Sequence, residues 1–101
     1  MNIKSEINEK TLFAELSGKL TFKDHPTFNN FLDNISSEIE HLKIDVKQLE
    51  QIDSSGIGML FLAQKVMSEK SGLLTIVNPN GQVKRIFDIV NLADQINVEQ
   101  S

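Results

Sequence analysis

The chain has 101 residues, of which 40% are hydrophobic and 24% charged, and it contains no cysteine. This length suits one domain, residues 1–101, that buries about 60% of its unfolded surface, and the lack of cysteine excludes disulfides and thiolate metal sites. The net charge is −4 and the ten basic residues are scattered along the chain, so a nucleic-acid surface is not expected. The sequence shows neither an export signal nor a long apolar run, which predicts a cytoplasmic protein with no membrane partner.

The first half of the chain alternates strand and helix patterns. Residues 11–18, TLFAELSG, alternate apolar and polar side chains and follow a turn near residues 8–10, which predicts an opening hairpin. Apolar residues then recur at helical spacing from Phe28 to Ile39, with Pro26 in a favoured first-turn position. We expect an amphipathic helix over this stretch, with His41 at its end. Residues 42–49, LKIDVKQL, alternate again and predict a strand.

The second half continues the alternation. Residues 51–60, QIDSSGIGML, lead from that strand into a helix of about four turns that ends near Gly72. Residues 73–77, LLTIV, are typical of a strand covered on both faces. After the turn signal NPNG, helical spacing returns from Val83 to Val90, and residues 96–98, INV, predict a last edge strand. This order predicts an α/β fold in which helices pack on a mixed sheet of four to five strands.

The start of the central helix combines an acidic residue, two serines and two glycines. We expect Asp53 and Ser54 at this helix end, where the first N–H groups lack helical partners and the dipole is positive. One of these side chains could simply cap the helix, which stabilises it by about 1 kcal/mol. Gly56 and Gly58 each cost about 1 kcal/mol relative to alanine and favour close approach by another surface. A phosphoryl group on a serine here would bring a charge of about −1.5 to −2 to a positive helix end without unfolding the domain.

The two sides of this helix predict different roles. Its apolar stripe, which we expect in the core, consists of Met59, Leu62, Ala63 and Val66. Ile57 and Phe61 stand on the opposite, polar side, one and two turns beyond the serines. Two interpretations remain open for this pair: the domain's own elements cover them, or they form a partner contact that cannot tolerate a dianion at its edge.

The sequence DSSGIG, between a predicted strand and an apolar helix, resembles the signature of STAS domains, particularly bacterial anti-sigma factor antagonists. The opening hairpin followed by SGKLTF, the central IDSSGIGML and the later NPNGQVKRIFDIVNLADQI occur in the family's order and at about its spacing. The resemblance implies a STAS-like fold and a non-enzymatic partner switch without a cofactor. The unphosphorylated domain of such a switch binds an anti-sigma factor that is also a serine kinase. Phosphorylation of the first serine abolishes that binding, and a PP2C-like phosphatase restores it.

By this resemblance the phosphorylated residue is Ser54, with Ser55 as the second candidate. The partner-binding surface that we expect consists of Thr21, Asp24, His25, Asp53, Ser54, Ser55, Gly56, Ile57 and Phe61. Two positions depart from the family pattern, because antagonists of this type commonly have an acidic residue in place of Thr21 and a glycine in place of Asn91. The uncharged Thr21 suggests a kinase different from those of the best-known circuits.

Other functions have weaker support in the sequence. Asp24, His25 and Ser54 are the residue types of a catalytic triad, but the G-x-S-x-G pattern of a nucleophile elbow is absent. GIGMLF lacks the third glycine and the later acidic residue of a dinucleotide loop, and no metal-binding motif is present. The main alternative is a STAS module that serves as a constitutive interaction or scaffold piece in a signalling or transport complex, with its serines acting only as helix caps.

Overall fold

The computed structural model describes residues 1–100 and shows an α/β fold in this range. The strands are β1 (Asn2–Asn8), β2 (Thr11–Leu20), β3 (His41–Ile52), β4 (Leu73–Val77) and β5 (Asn97–Glu99). The helices are α1 (His25–Asp33), α2 (Ser54–Glu69) and α3 (Gly81–Ile89), with short 3-10 turns at Phe22–Asp24 and Leu92–Asp94. The predicted order of strands and helices is confirmed, including the edge strand near residue 97.

The five strands form one mixed sheet in the order β1-β2-β3-β4-β5. β1 and β2 are the antiparallel hairpin, and the pairs from β2 to β5 are all parallel. β3 is longer than its neighbour β4, which it pairs with only over residues 41–45. The second half of β3 pairs with β2 as far as Ile52, so it extends past β4 and delivers the chain to the start of α2.

One face of the sheet forms the core. In the first halves of β2 and β3 the residues alternate between buried and accessible, with Leu12, Ala14, Leu16, Leu42, Ile44 and Val46 buried. Leu20, Leu49 and Ile52 are buried farther along the same strands. α1 and α2 contact each other, and α2 also contacts β3 and β4. On α2 the buried residues Met59, Leu60, Ala63 and Met67 lie in the core, with Leu62 and Val66 packed at its margin. The predicted core stripe of α2 is therefore confirmed at Met59 and Ala63, whereas Leu60 and Met67 are more deeply buried than the predicted Leu62 and Val66.

The first helix is shorter than the sequence predicts. α1 ends at Asp33, and the side-chain amide of Asn34 donates a hydrogen bond to the carbonyl of Asn30 at 2.7 Å. Asparagine and serine side chains compete for backbone groups in this way, which favours helix ends over helix interiors. Ile35 and Ile39 continue the helical spacing but belong to the connection before β3, where Ile39 is still buried.

His41 does not lie at a helix end, so that prediction was wrong. It is the first residue of β3, and its Nε2 lies 2.8 Å from Oγ1 of Thr75 on β4. Partial burial lowers the pKa of His41 below its ordinary value, the neighbouring Lys43 lowers it further, and Glu99 opposes the shift.

Asn91 has a backbone role that explains its place in the sequence. Its φ of 54° and ψ of 46° are left-handed, at the point where the chain leaves α3 for the Leu92–Asp94 turn. Glycine adopts this conformation freely, and asparagine is one of the few other residues that does so at modest cost. The left-handed conformation at Asn91 is therefore one that glycine would also accept.

Candidate functional site

The carboxylate of Asp53 joins the start of α2 to the turn that follows β2. Asp53 is the N-cap of the helix: its Oδ1 accepts a hydrogen bond from the backbone N–H of Gly56 at 2.8 Å. Its Oδ2 accepts another from the backbone N–H of Phe22 at 3.3 Å. The N–H of Asp53 itself donates to the carbonyl of Leu20 at 3.2 Å. A helix cap needs one acceptor oxygen, so the second oxygen is available to fix the neighbouring turn.

Ser54 is exposed and its hydroxyl is not committed to the fold. It is the first residue of α2, whereas Ser55 beside it is partly buried. Neither serine side chain forms a hydrogen bond within residues 1–100. The capping role that the sequence left open among these residues belongs to Asp53. The hydroxyl of Ser54 is therefore presented to solvent at the positive end of a helix of 16 residues.

Gly56 serves the fold of the domain, which corrects the expectation that it belongs to the partner-binding surface. Gly56 is buried, and a Cβ built on it would lie 2.5 Å from the carbonyl oxygen of Leu20 and 2.5 Å from Cγ1 of Ile52. The missing side chain thus lets the first turn of α2 pack directly on the ends of β2 and β3. Gly58 is different, because it is exposed and a Cβ there would meet nothing within 4 Å.

The two apolar candidates on α2 have different environments. Ile57 is only 8% exposed and belongs to the core, so the expectation that it stands on an open contact surface was wrong. The close packing of the first turn on the sheet draws its side chain into the domain. Phe61 remains 37% exposed. It shares an accessible helix side with Ser54 and Gly58, at spacings of seven and three residues.

Phe22 is an exposed aromatic residue next to this helix end, in the expected contact loop from Thr21 to His25, although the sequence did not single it out. Its side chain is 64% exposed, and its backbone N–H is the group held by Asp53. Phe22 lies in a short 3-10 turn, where periodicity gives no information about burial. A large apolar side chain held in solvent on the turn bonded to Asp53 extends the candidate contact surface from α2 onto this turn.

Thr21 and Asp24 stabilise the same turn. Oδ2 of Asp24 accepts hydrogen bonds from the backbone N–H of Thr21 at 2.9 Å and from its hydroxyl at 3.4 Å. Oδ1 of Asp24 lies 3.2 Å from the amino group of Met1. Partial burial opposes ionisation of Asp24, but these bonds and the Met1 ammonium outweigh it and leave the pKa of Asp24 below its ordinary value. The Asp24 carboxylate is thus committed to the fold.

His25 is exposed at the start of α1, and its Nδ1 lies 3.1 Å from Nδ2 of Asn29. Within residues 1–100, neither Ser54 nor Asp24 forms a hydrogen bond with His25. The structure therefore does not assemble a triad from Asp24, His25 and Ser54, since a base must lie within hydrogen-bond reach of its nucleophile.

Gln82 of α3 holds the end of β3, two residues before Ser54. Its Oε1 accepts a hydrogen bond from the N–H of Ile52 at 3.0 Å, and its Nε2 donates to the carbonyl of the same residue at 3.2 Å. Asn80 adds a hydrogen bond from its Nδ2 to the carbonyl of Lys47 at 2.9 Å. These side chains satisfy backbone groups on the part of β3 that extends past β4. The sequence analysis gave no signal for this role, because it depends on where β4 ends.

Two further features bear on the kind of site. Among the described residues, no group of three or more His, Cys, Asp or Glu side chains lies close enough together to hold a metal ion. The longest helix, α2, has 16 residues, fewer than the roughly 20 apolar residues that a bilayer crossing requires. No other helix in residues 1–100 qualifies as a membrane span.

Comparison with known proteins agrees with this architecture. The family model described as STAS domain matches residues 2–101. The anti-sigma-B factor antagonist of Bacillus subtilis is 26% identical over 100 residues, covering 97% of this chain and 92% of that protein. The anti-sigma F factor antagonist of Paenibacillus polymyxa is 29% identical over 97 residues, covering 91% of this chain and 80% of that protein.

Two solved structures of SpoIIAA, one unphosphorylated and one phosphorylated, have the same fold as this chain. The unphosphorylated anti-sigma factor antagonist SpoIIAA superimposes with a TM-score of 0.74 at 15% identity, covering 96% of this chain and 86% of that one. The phosphorylated form of SpoIIAA, a Bacillus cell fate determinant, gives a TM-score of 0.67 at 16% identity, covering 96% of this chain and 90% of that one. At these identities the superpositions establish the fold alone.

Proposed function

We propose that this chain, which belongs to the STAS domain family, is a cytoplasmic anti-sigma factor antagonist whose binding is switched by phosphorylation of Ser54. In its unphosphorylated form it binds an anti-sigma factor that has serine kinase activity. Phosphorylation of Ser54 releases that partner, and a PP2C-like phosphatase returns the chain to its binding form. The chain itself is a binding protein and not an enzyme in this proposal.

The observation that carries the proposal is the free, exposed hydroxyl of Ser54. Asp53 caps α2 through the N–H of Gly56, so Ser54 is not needed as a cap. A kinase that transfers a phosphoryl group requires an accessible hydroxyl, and Ser54 is exposed whereas Ser55 is partly buried. The structural difference between the two serines favours Ser54 as the acceptor.

The surface around Ser54 has the composition of a protein contact. Phe22 is 64% exposed and Phe61 is 37% exposed, and aromatic residues are enriched in the residues that dominate binding energies. Gly58 lies between Ser54 and Phe61 on the accessible side of α2 and leaves room for another backbone. We expect these three residues, with Thr21 and Ser54, to form the contact surface. Asp53 and Asp24 position it, whereas Gly56 and Ile57 support it from within the fold.

Phosphorylation would act on the contact rather than on the fold. A phosphoserine carries a charge of about −1.5 to −2, and the positive end of α2 offers it a favourable position. The same dianion at the edge of a water-free aromatic contact would cost several kcal/mol of binding free energy, since burying an uncompensated charge is expensive. A loss of affinity of about 100-fold or more follows from a cost of about 3 kcal/mol.

The comparisons support this proposal by the names of the relatives. The two curated relatives above are named as antagonists of anti-sigma factors, and SpoIIAA has been solved in both unphosphorylated and phosphorylated forms. The motif that resembles the antagonist signature, DSSGIG, occupies the start of α2 in this structure. The following experiment tests whether Ser54 of this chain is the switch residue.

The test combines identification of the modified residue with partner capture. Phosphosite mass spectrometry on the protein from its own cells should find phosphate on Ser54. Purified Ser54→Ala should retain a kinase-like partner from a lysate of those cells, and Ser54→Asp should lose it. Circular dichroism on each variant checks that the fold is unchanged.

Ser55→Ala and Ser55→Asp are the matched controls, because they alter the adjacent hydroxyl in the same way. We expect both to retain the partner at the wild-type level. If Ser54 is unmodified and both Ser54 variants retain the same partner equally, the switch is refuted and the chain is a constitutive interaction module. If the Ser55 variants alone show the difference, the acceptor is Ser55.

A further inference from the structure

The first strand leaves one edge of the sheet open. β1 is the end strand of the sheet and pairs only with β2 among the described residues. In an antiparallel pair, every second residue directs its N–H and C=O away from the partner strand, so β1 presents a row of backbone donors and acceptors over seven residues. Such an edge can pair with another strand unless the sequence opposes it.

The sequence of β1 is complementary to itself in the antiparallel direction. Its residues, NIKSEIN, are arranged symmetrically about Ser5. When a second copy of β1 runs antiparallel with the two Ser5 residues opposite each other, Lys4 stands opposite Glu6 of that copy, and Glu6 stands opposite its Lys4. Ile3 likewise stands opposite Ile7. Opposite charges directly across an antiparallel pair stabilise it.

The same charges disfavour the neighbouring registers. A shift of two residues in one direction places Lys4 opposite Lys4 of the second copy, and a shift in the other direction places Glu6 opposite Glu6. Like charges directly opposite each other destabilise a strand pair. A shift by one residue would turn the apolar side chains of one copy to the wrong face. One register is therefore selected.

Each face of β1 has side chains suited to this pairing. Lys4 and Glu6 stand on the face opposite to the core, as their cross-strand partners Glu15 and Phe13 show. Neither residue has a salt bridge within residues 1–100. The described fold leaves both charges available to a second copy.

The other face of β1 carries two isoleucines on either side of Ser5 and is incompletely covered. Ile3 and Ile7 stand opposite the buried residues Leu16 and Leu12 on β2, yet Ile7 is 62% exposed. A groove of about 600 Å³ runs along this face, lined on one side mainly by β1 and on the other by α1 and the connection that follows it. Pairing with a second copy would place an isoleucine beside each Ile3 and Ile7 and reduce their exposure.

We propose that two copies of this chain associate through their β1 edges, antiparallel and about a two-fold axis at Ser5. Charged residues on an edge strand often serve only to prevent association, but that role requires no symmetry of charge about a central residue. The inference is independent of the proposed function, because β1 contributes no residue to the contact surface around Ser54. A seven-residue edge is smaller than a standard interface, so we expect weak association.

Charge reversal tests the pairing by sedimentation velocity, over protein concentrations from about 10 µM to 1 mM. Wild-type protein should show concentration-dependent dimers. Lys4→Glu and Glu6→Lys should each weaken association by at least about tenfold, because each creates two like-charge pairs. An equimolar mixture of the two variants should associate again, since every opposed pair then has opposite charges. Lys84→Glu, which changes an exposed residue of α3 by the same charge, should dimerise like the wild type.

A cysteine scan locates the axis in a chain that has no cysteine of its own. Directly opposed residues have Cα atoms about 4.5–5.5 Å apart, so Ser5→Cys should cross-link to itself on oxidation or with a short bismaleimide. The control Asn2→Cys should not, because the two copies of residue 2 would lie about 20 Å apart. Four outcomes would each overturn the proposal. The wild type stays monomeric at every concentration, or one charge-reversal variant alone dimerises like the wild type. Alternatively, the mixture of the two variants stays monomeric, or Ser5→Cys and Asn2→Cys cross-link equally.

Discussion

Replacing Asp53 tests whether one carboxylate fixes both the helix and the turn at the candidate site. In Asp53→Ala the N–H of Gly56 loses its acceptor at 2.8 Å and the N–H of Phe22 loses its acceptor at 3.3 Å. Loss of an N-cap costs about 0.5–2 kcal/mol, and loss of a second hydrogen bond at the surface adds about 0.5–1 kcal/mol. We therefore expect Asp53→Ala to lower the free energy of unfolding by about 1–3 kcal/mol.

This cost should be visible in both chemical and thermal unfolding. For a domain of about 100 residues, 1 kcal/mol corresponds to a shift in Tm of about 4–8 °C, so we expect Tm to fall by about 4 °C or more. Urea unfolding followed by circular dichroism gives the free energy directly, provided that the m-value is unchanged.

Asp53→Asn separates the two roles of the carboxylate. Asparagine is also a good N-cap, but its amide has one acceptor oxygen, and the nitrogen that replaces the other oxygen is a donor. The variant can therefore keep the hydrogen bond to Gly56 only by directing a donor at the N–H of Phe22. We expect the free energy of unfolding of Asp53→Asn to lie between those of the wild type and Asp53→Ala. The amide NMR signal of Phe22 should also change.

Ser54→Ala is the matched control for the Asp53 variants. Its side chain makes no hydrogen bond within the described residues and is exposed, and alanine is the better helix former. We expect a change within about ±0.5 kcal/mol. If Ser54→Ala costs as much as Asp53→Ala, the serine caps the helix, its hydroxyl is not free, and the argument for Ser54 as an accessible acceptor fails.

Three further predictions follow from individual residues. Gly56→Ala should destabilise the domain by about 1–3 kcal/mol because its Cβ meets the Leu20 carbonyl oxygen at 2.5 Å, whereas Gly58→Ala should stabilise it by about 0.5–1 kcal/mol; urea unfolding measures both. Because the pKa of His41 is lowered in the folded state, the unfolded state binds more protons. The free energy of unfolding should therefore decline as pH falls from about 7.5 through 6.5 and below. His41→Asn should reduce the dependence of the free energy of unfolding on pH. Asn91→Ala should cost about 1–2 kcal/mol because alanine resists the left-handed conformation, while Asn91→Gly should come close to the wild type in the same unfolding assay.

The regular elements could be predicted because each repeats a simple period. The alternation in residues 42–49 gave β3, and the spacing of apolar residues gave the core stripe of α2. The same rule failed after Asp33, where Ile35 and Ile39 keep helical spacing outside any helix. Periodicity reports which residues reach the core, and both a helix and a compact turn can satisfy it. The side-chain bond of Asn34 ends the helix through local chemistry that periodicity does not detect.

The position of the motif around Ser54 could also be predicted, but the structural roles of all its residues could not. Asp53 and Ser54 were placed correctly at the helix start, whereas Gly56 and Ile57 turned out to face the domain. Their environment depends on how closely the first turn of α2 packs on the ends of β2 and β3, a tertiary distance absent from the local sequence. Phe22 was not singled out within its loop for a related reason, since the turn that contains it is held by a residue 31 positions away.

Hydrogen bonds fix the segment before Ser54, whereas the hydroxyl of Ser54 takes part in none of them. Gln82 binds both backbone groups of Ile52, the carbonyl of Leu20 binds the N–H of Asp53, and the N–H groups of Phe22 and Gly56 bind its carboxylate. Because these bonds leave the serine hydroxyl out, a phosphoryl group can be added without breaking any of them. The modification would then leave the aromatic contact surface in place and change its charge alone. A switch of this kind responds through the affinity of the partner, and it requires no second conformation of the domain.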